Sequence, residues 1–203
     1  SASLWRESDF YQAYLGRQIF RVHDAQLRTQ GGELVPVALS CAPLPVDQQA
    51  MVVTVLDMSV VRNLHQQLEY QAITDPLTGL LNRRGFYQAA EGALLRNERS
   101  DKAQALMYMD LDGFKRINDS LGHDAGDRVL RWVAEQLKDC LGSEALLARM
   151  GGDEFTALFD SLPYPEQAGR YAERLLERVS ISHEVDGLDV CLGVSIGIAT
   201  YPD

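Results

Sequence analysis

The pair Gly151-Gly152 constrains this chain more than any other feature. Two strand-like runs, Ala145–Arg149 and Glu154–Phe159, flank it, so the pair predicts a tight hairpin and antiparallel pairing. Asp153 and Glu154 follow the turn directly. A third apolar run, Met107 to Met109, reads as a buried strand that ends in Asp110 and Asp112, and Asp110 precedes Asp153 by 43 residues. If the hairpin pairs beside that strand, Asp110 and Asp153 converge. Carboxylates held at a strand end suit a hard divalent cation such as Mg²⁺, which shares its shell with phosphate oxygens. Charge beside apolar strand runs is costly without such a use. Asp119, Asp124 and Asp139 lack that setting and read as solvated loop residues or caps.

The texture changes near residue 75. From Gln18 to Asp57 the pattern is strand-like: Phe20 to Leu27, a turn at Gly31-Gly32, Leu34 to Leu39, a loop with Pro43, Pro45 and Asp47, and Met51 to Leu56. Leu4 to Leu15 reads as a short helix. A polar helix follows over Ser59 to Ile73, with Val61, Leu64, Leu68 and Ala72 on one narrow stripe. Such a stripe suits a short two-stranded coiled coil, and equally a helix lying on its own domain; two heptads do not decide. Beyond Asp75, helices are expected at Arg83–Asn97, Gly126–Leu141 and Pro165–Ser180. Strands are expected at Ala103–Met109, Ala145–Arg149, Glu154–Phe159 and Leu188–Thr200. Helices backing a mainly antiparallel sheet define an α+β domain.

Charge narrows the partners. The chain has 29 acidic and 19 basic residues, a net charge of −10. No nucleic acid or anionic membrane surface is expected as a partner, since both require clustered basic charge. No run approaches a membrane span and no signal peptide is seen. Cys41, Cys140 and Cys191 are odd in number and widely spaced, and read as buried, reduced thiols of a cytoplasmic protein.

Between the acidic sites, Asp112-Gly113-Phe114-Lys115 opens a short helix. A glycine-softened helix start offers N–H groups and a positive dipole end to phosphate, and Lys115 adds a compact charge, although its spacing fits an exposed helix lysine as well. Asn118 lies one turn on, and Asp127 follows the loop Gly122–Gly126. A carboxylate can accept both N1–H and the 2-amino group of guanine, and an amide can face the ring acceptors. As bare spacing this signal is weak.

Three motifs now stand in order: Asp75-Pro76-Leu77-Thr78-Gly79-Leu80-Leu81-Asn82-Arg83-Arg84; Asp110 to Asp119, continuing through Gly122-His123-Asp124-Ala125-Gly126-Asp127; and Gly151-Gly152-Asp153-Glu154-Phe155. Together they make residues 75–203 resemble a GGDEF domain of the diguanylate cyclase family. The resemblance implies a nucleotidyl-cyclase palm-like fold and condensation of two GTP into cyclic di-GMP. It implies Mg²⁺ or Mn²⁺ bound by Asp110, the Leu111 carbonyl and Asp153. Guanine would be read by Asn118 and Asp127. Phosphates would meet Lys115 and the amides of Gly113 and Phe114, with Gly151 and Gly152 allowing close approach. Asp153, Glu154 and Lys115 would be catalytic, Glu154 as a further acid. Asp75 and Thr78 would anchor the incoming helix, and His123 would order its loop. Each domain would hold one GTP, so a homodimer is implied; the alternative reading is a GTP-binding regulatory domain that controls an adjacent phosphodiesterase domain of the full-length protein.

The sequence departs from the family twice. Product-inhibited members carry Arg-x-x-Asp five residues before the glycine pair, where this chain has Gly142-Ser143-Glu144-Ala145. The family's final helix, with a lysine and an arginine for phosphate, is not found before Asp203, so the domain is expected to lack its C-terminal end and to be weakly active or inactive as it stands. Residues 1–57 resemble, less specifically, the C-terminal part of a PAS domain, through Arg28 to Val37 and Val55-Leu56-Asp57-Met58-Ser59. No PAS cofactor is inferred. Residues 58–74 are then a signalling helix, and the parent protein is free to be membrane-anchored.

Overall fold

The computed structural model describes residues 9–16, 18–44, 50–97, 102–180, 183–185 and 188–201. The chain divides into two compact units, residues 1–68 and 69–203.

In the first unit a helix α1 (Asp9–Leu15) precedes the antiparallel meander β1 (Phe20–Arg28), β2 (Leu34–Pro43) and β3 (Met51–Asp57), with β2 in the centre. The expected helix residues 4–8 and the loop residues Pro45 and Asp47 lie outside the described residues. Val37 and Cys41, four residues apart on β2, point to the same side and are buried. Helix α2 (Ser59–Ile73) begins after Asp57, whose carboxylate accepts from the Ser59 amide at 2.8 Å and so satisfies a free donor of the first turn. Arg62 on α2 pairs with Asp24 on β1. The predicted stripe faces outward: Val61, Leu64 and Leu68 are 54%, 55% and 56% exposed, and α2 buries no residue.

The second unit is built on a four-stranded sheet of order β5-β6-β4-β9, antiparallel throughout: β4 (Ala103–Asp112), β5 (Leu146–Gly151), β6 (Glu154–Leu162) and β9 (Gly193–Tyr201). Alternation along β4 sends Met107, Met109 and Leu111 inward and Tyr108, Asp110 and Asp112 to the other face. The inward face packs on Val129, Leu130, Val133 and Leu137 of α5 (His123–Leu141) and on Ala172, Leu175 and Val179 of α6 (Glu166–Val179). On the opposite face, α3 (Arg83–Asn97) covers β5 and β6 through Phe86, Ala93, Ala148 and Leu158. The α+β architecture is thus the one its patterning predicts.

Several boundaries differ. Helix α5 starts at His123, three residues before the expected Gly126, because the break is a single residue, Gly122 at φ 85°, and not a five-residue loop. The expected strand Leu188–Thr200 is two strands, β8 (Leu188–Val190) and β9, and β8 pairs instead with a short β7 (His183–Val185). Cys41 and Cys140 are buried as expected, but Cys191 is exposed: in the link between β8 and β9 it is Leu192 that turns into the core. Among the described residues no helix is long and apolar enough to cross a membrane.

Candidate nucleotide and metal site

The β5–β6 turn brings the acids together. Gly151 and Gly152 take φ of 142° and 55°, where a side chain would be strained, so the strand can reverse in two residues. The returning strand pairs with β4 in a register that sets Glu154 directly opposite Asp110. Residues paired across an antiparallel ladder share a face, so the two carboxyls lie together, with Asp153 at the tip beside them. Burial pushes the Asp110 carboxyl above its ordinary range, and the negative fields of Asp153, Glu154 and Asp112 add to this. A group of acids that resist joint ionisation is one that a divalent cation would relieve. Among the described residues no three acidic, histidine or cysteine side chains already form a cage.

Two acids of the cluster have partners that the sequence did not announce. The Tyr108 hydroxyl donates to Glu154; burial and this bond raise the phenol above its usual range. The Ser195 hydroxyl on β9 donates to Asp112, 2.9 and 3.1 Å from its two oxygens. The Leu111 side chain lies in the core, so only its backbone is open to a ligand.

The strand end runs straight into α4 (Phe114–Leu121), capped by Gly113 in the left-handed region at φ 81°. Phe114 anchors this helix in the core, leaving its amide at the first turn, while Lys115 is exposed. Asn118 packs against α5 at Gly126: a Cβ there would stand 1.9 Å from Asn118 Oδ1. Gly126 therefore marks a close approach of two helices, and it places Asp127, the next residue, at the Asn118 corner. His123 is the exposed first residue of α5.

A second network holds the turn that leads into this unit. Asp75 Oδ1 accepts from the Thr78 amide at 2.9 Å and hydroxyl at 2.7 Å. Arg149 Nη1 lies 3.2 Å from both Asp75 oxygens. Burial opposes ionisation of Asp75, but the Thr78 bonds and the Arg149 charge prevail and hold the carboxyl below its usual range. Lys138 Nζ donates to the Thr78 carbonyl at 3.1 Å. Farther off, residues 142–144 form a 3₁₀ turn whose Glu144 accepts from the Tyr171 hydroxyl.

The family described as "Diguanylate cyclase, GGDEF domain" matches residues 72–203, and the chain belongs to it. It is 38% identical over 149 residues to the bifunctional diguanylate cyclase/cyclic di-GMP phosphodiesterase MucR of Pseudomonas aeruginosa, covering 73% of this chain and 22% of that protein. With the probable diguanylate cyclase DgcE of Escherichia coli K12 the identity is 35% over 184 residues, 89% of this chain and 17% of that one. Among solved structures, the GGDEF domain of Pseudomonas aeruginosa TpbB superposes with a TM-score of 0.61 at 38% identity, covering 64% of this chain and 76% of that chain. The chain thus spans about a fifth of the length of these curated relatives.

Proposed function

We propose that residues 75–203 carry the catalytic residues of a diguanylate cyclase that condenses two GTP into cyclic di-GMP, releasing two pyrophosphates. The observation that carries this reading is the β4–β6 register, with Asp110 opposite Glu154 and Asp153 at the adjoining turn. Asp110, Asp153 and the Leu111 carbonyl form a hard oxygen donor set that fits Mg²⁺ or Mn²⁺. Bound there, the cation would lower the pKa of the attacking 3′-hydroxyl and neutralise the leaving pyrophosphate. The amides of Gly113 and Phe114, with Lys115, hold the phosphates at the start of α4. Asp127 accepts the two guanine donors while Asn118 faces the ring acceptors, so adenine would leave a carboxylate unpaired. Gly151 and Gly152 let the hairpin approach the nucleotide, and Glu154, oriented by Tyr108, is the further acid.

In-line attack joins two nucleotides, one per domain, which requires two copies face to face. The exposed stripe Val61, Leu64 and Leu68 supports pairing through α2. The three-stranded meander of the first unit supports a partial PAS module over residues 1–57 as the regulatory input, with 58–74 as the signalling helix. A second reading is a GTP-binding domain that controls an adjacent phosphodiesterase domain; the 38% identity to the cyclic di-GMP phosphodiesterase NbdA of Pseudomonas aeruginosa favours it. Turnover of GTP by the full-length protein with Mg²⁺, against Asp153→Ala, separates the two. Cyclic di-GMP formed by the parent and lost in the variant supports the cyclase. GTP binding without synthesis supports the regulatory reading.

A further inference from the structure

We propose that Arg149 is a positioning residue for the acidic hairpin, tying it to the turn at the end of α2. Arg149 sits on β5, two residues before the glycine pair. Its Nε and Nη2 both donate to the Gly152 carbonyl, at 3.0 and 2.8 Å. Its Nη1 reaches both oxygens of Asp75 at 3.2 Å. One planar fork thus joins two segments 74 residues apart in sequence. The Arg149 and Asp75 side chains are only 13% and 19% exposed, so the pair is less screened than a surface ion pair.

The Gly152 carbonyl belongs to the peptide that leads into Asp153. Holding that oxygen fixes the peptide plane and hence the direction in which Asp153 leaves the turn. A lysine lacks this geometry, since its donors sit on one compact ammonium at the end of a flexible stem and not on a rigid planar fork that spans both acceptors.

The Asp75 end is equally well held. Asn82 Nδ2 donates to the Ala72 and Thr74 carbonyls, at 3.0 and 3.1 Å, and the Asn82 amide to Ile73 at 2.9 Å. Leu81 then bonds to β5, its amide to Leu147 and its carbonyl to the Arg149 amide, at 3.1 and 2.9 Å. The last turn of α2 is therefore joined to β5 by backbone and to the hairpin by the Arg149 side chain. A displacement of that turn moves Asp75, and through the guanidinium it moves the Gly152 carbonyl. Arg149 thereby sets how well the acids are aligned, and its importance for catalysis rests on the cyclase reading.

Amide hydrogen exchange on the intact metal-free protein tests the tie without using activity. Wild type is compared with Asp75→Asn, Arg149→Lys and Arg149→Met, and amides 105–109 of β4 report global opening. The expected result, in all three variants, is that exchange at residues 151–154 speeds up about tenfold more than exchange in β4 does. If only residues 74–82 speed up, or if 151–154 never exceed β4, Arg149 merely fastens the lead-in turn and the proposal fails. Kinetics supply the second readout: kcat for cyclic di-GMP falls about tenfold while KM for GTP stays within about twofold. A wild type that makes no cyclic di-GMP overturns the cyclase reading and leaves the exchange result to decide on Arg149.

Discussion

Asp110 stands directly opposite Glu154 across the β4–β6 ladder, with a third acid, Asp153, at the turn next to them. Like charges placed opposite one another destabilise a sheet unless something binds between them. Asp110→Asn is therefore expected to raise the melting temperature of the metal-free protein slightly. The same variant should lower turnover by about 10²–10³-fold, the usual effect of removing one group that stabilises developing charge. Calorimetry with and without Mg²⁺, beside a cyclic di-GMP assay, checks both halves.

Asp127→Ala should weaken GTP binding by about ten- to a hundredfold, the loss of hydrogen bonds to a charged acceptor. Discrimination against ATP should fall with it, while the melting temperature barely moves because Asp127 is only half-buried. Competition binding with GTP and ATP reads the effect; unchanged discrimination would assign guanine recognition elsewhere.

Gly126→Ala probes the same corner from the other side. Its new methyl would overlap Asn118 Oδ1, so the amide must swing away. A loss of about 1–3 kcal/mol of stability is expected from overpacking two helices, together with loss of guanine binding. Asn118→Ala in the Gly126→Ala background should restore stability without restoring binding, as denaturant melts and titration with GTP would show.

Asp75 predicts a pH dependence with a definite sign. Its folded-state pKa is lowered, so the stabilisation is present above the unfolded value and lost as pH falls through the folded one. Asp75→Asn should therefore be less stable than wild type by about 1–3 kcal/mol at neutral pH. The gap should stay full above about pH 5 and close below about pH 4. Urea melts of both proteins across that range measure it; a constant gap would mean that ionisation of Asp75 is not what stabilises the turn.

Leu64 on α2 is 55% exposed and touches no core. If α2 pairs with its copy, Leu64→Glu should weaken self-association by at least about tenfold, from the apolar burial lost. Thermal stability of the isolated chain should not change. Sedimentation velocity over a concentration series is the check.

The local chemistry of the sequence made much of this architecture readable. The apolar run before Asp110 and the glycine pair at 151–152 made the strand end and the hairpin readable, and the two-residue reversal set the β5–β6 register. That β6 then pairs with β4, with Glu154 opposite Asp110, was only a condition in the sequence and is seen in the ladder. The stripe on α2 likewise bounded that helix. What stayed hidden was non-local or masked by composition. Ser195 reaches Asp112 across 83 residues and Arg149 reaches Asp75 across 74, separations at which no spacing rule operates. Gly126 looked like a helix boundary because glycine usually marks one, yet here it lies within α5 to make room for Asn118. The apolar run from Leu188 concealed a break at Cys191-Leu192, since Leu192 continues the hydrophobic pattern while the backbone leaves one strand for another.

The turn at 142–144 carries a last consequence. Where an arginine and an aspartate would grip the finished dinucleotide, this chain has glycine and alanine, and its one charged residue there, Glu144, is already engaged by Tyr171. Under the cyclase reading, residues 142–145 would offer an anionic product an acidic neighbour in place of a clamp, so added cyclic di-GMP is not expected to slow synthesis through this spot.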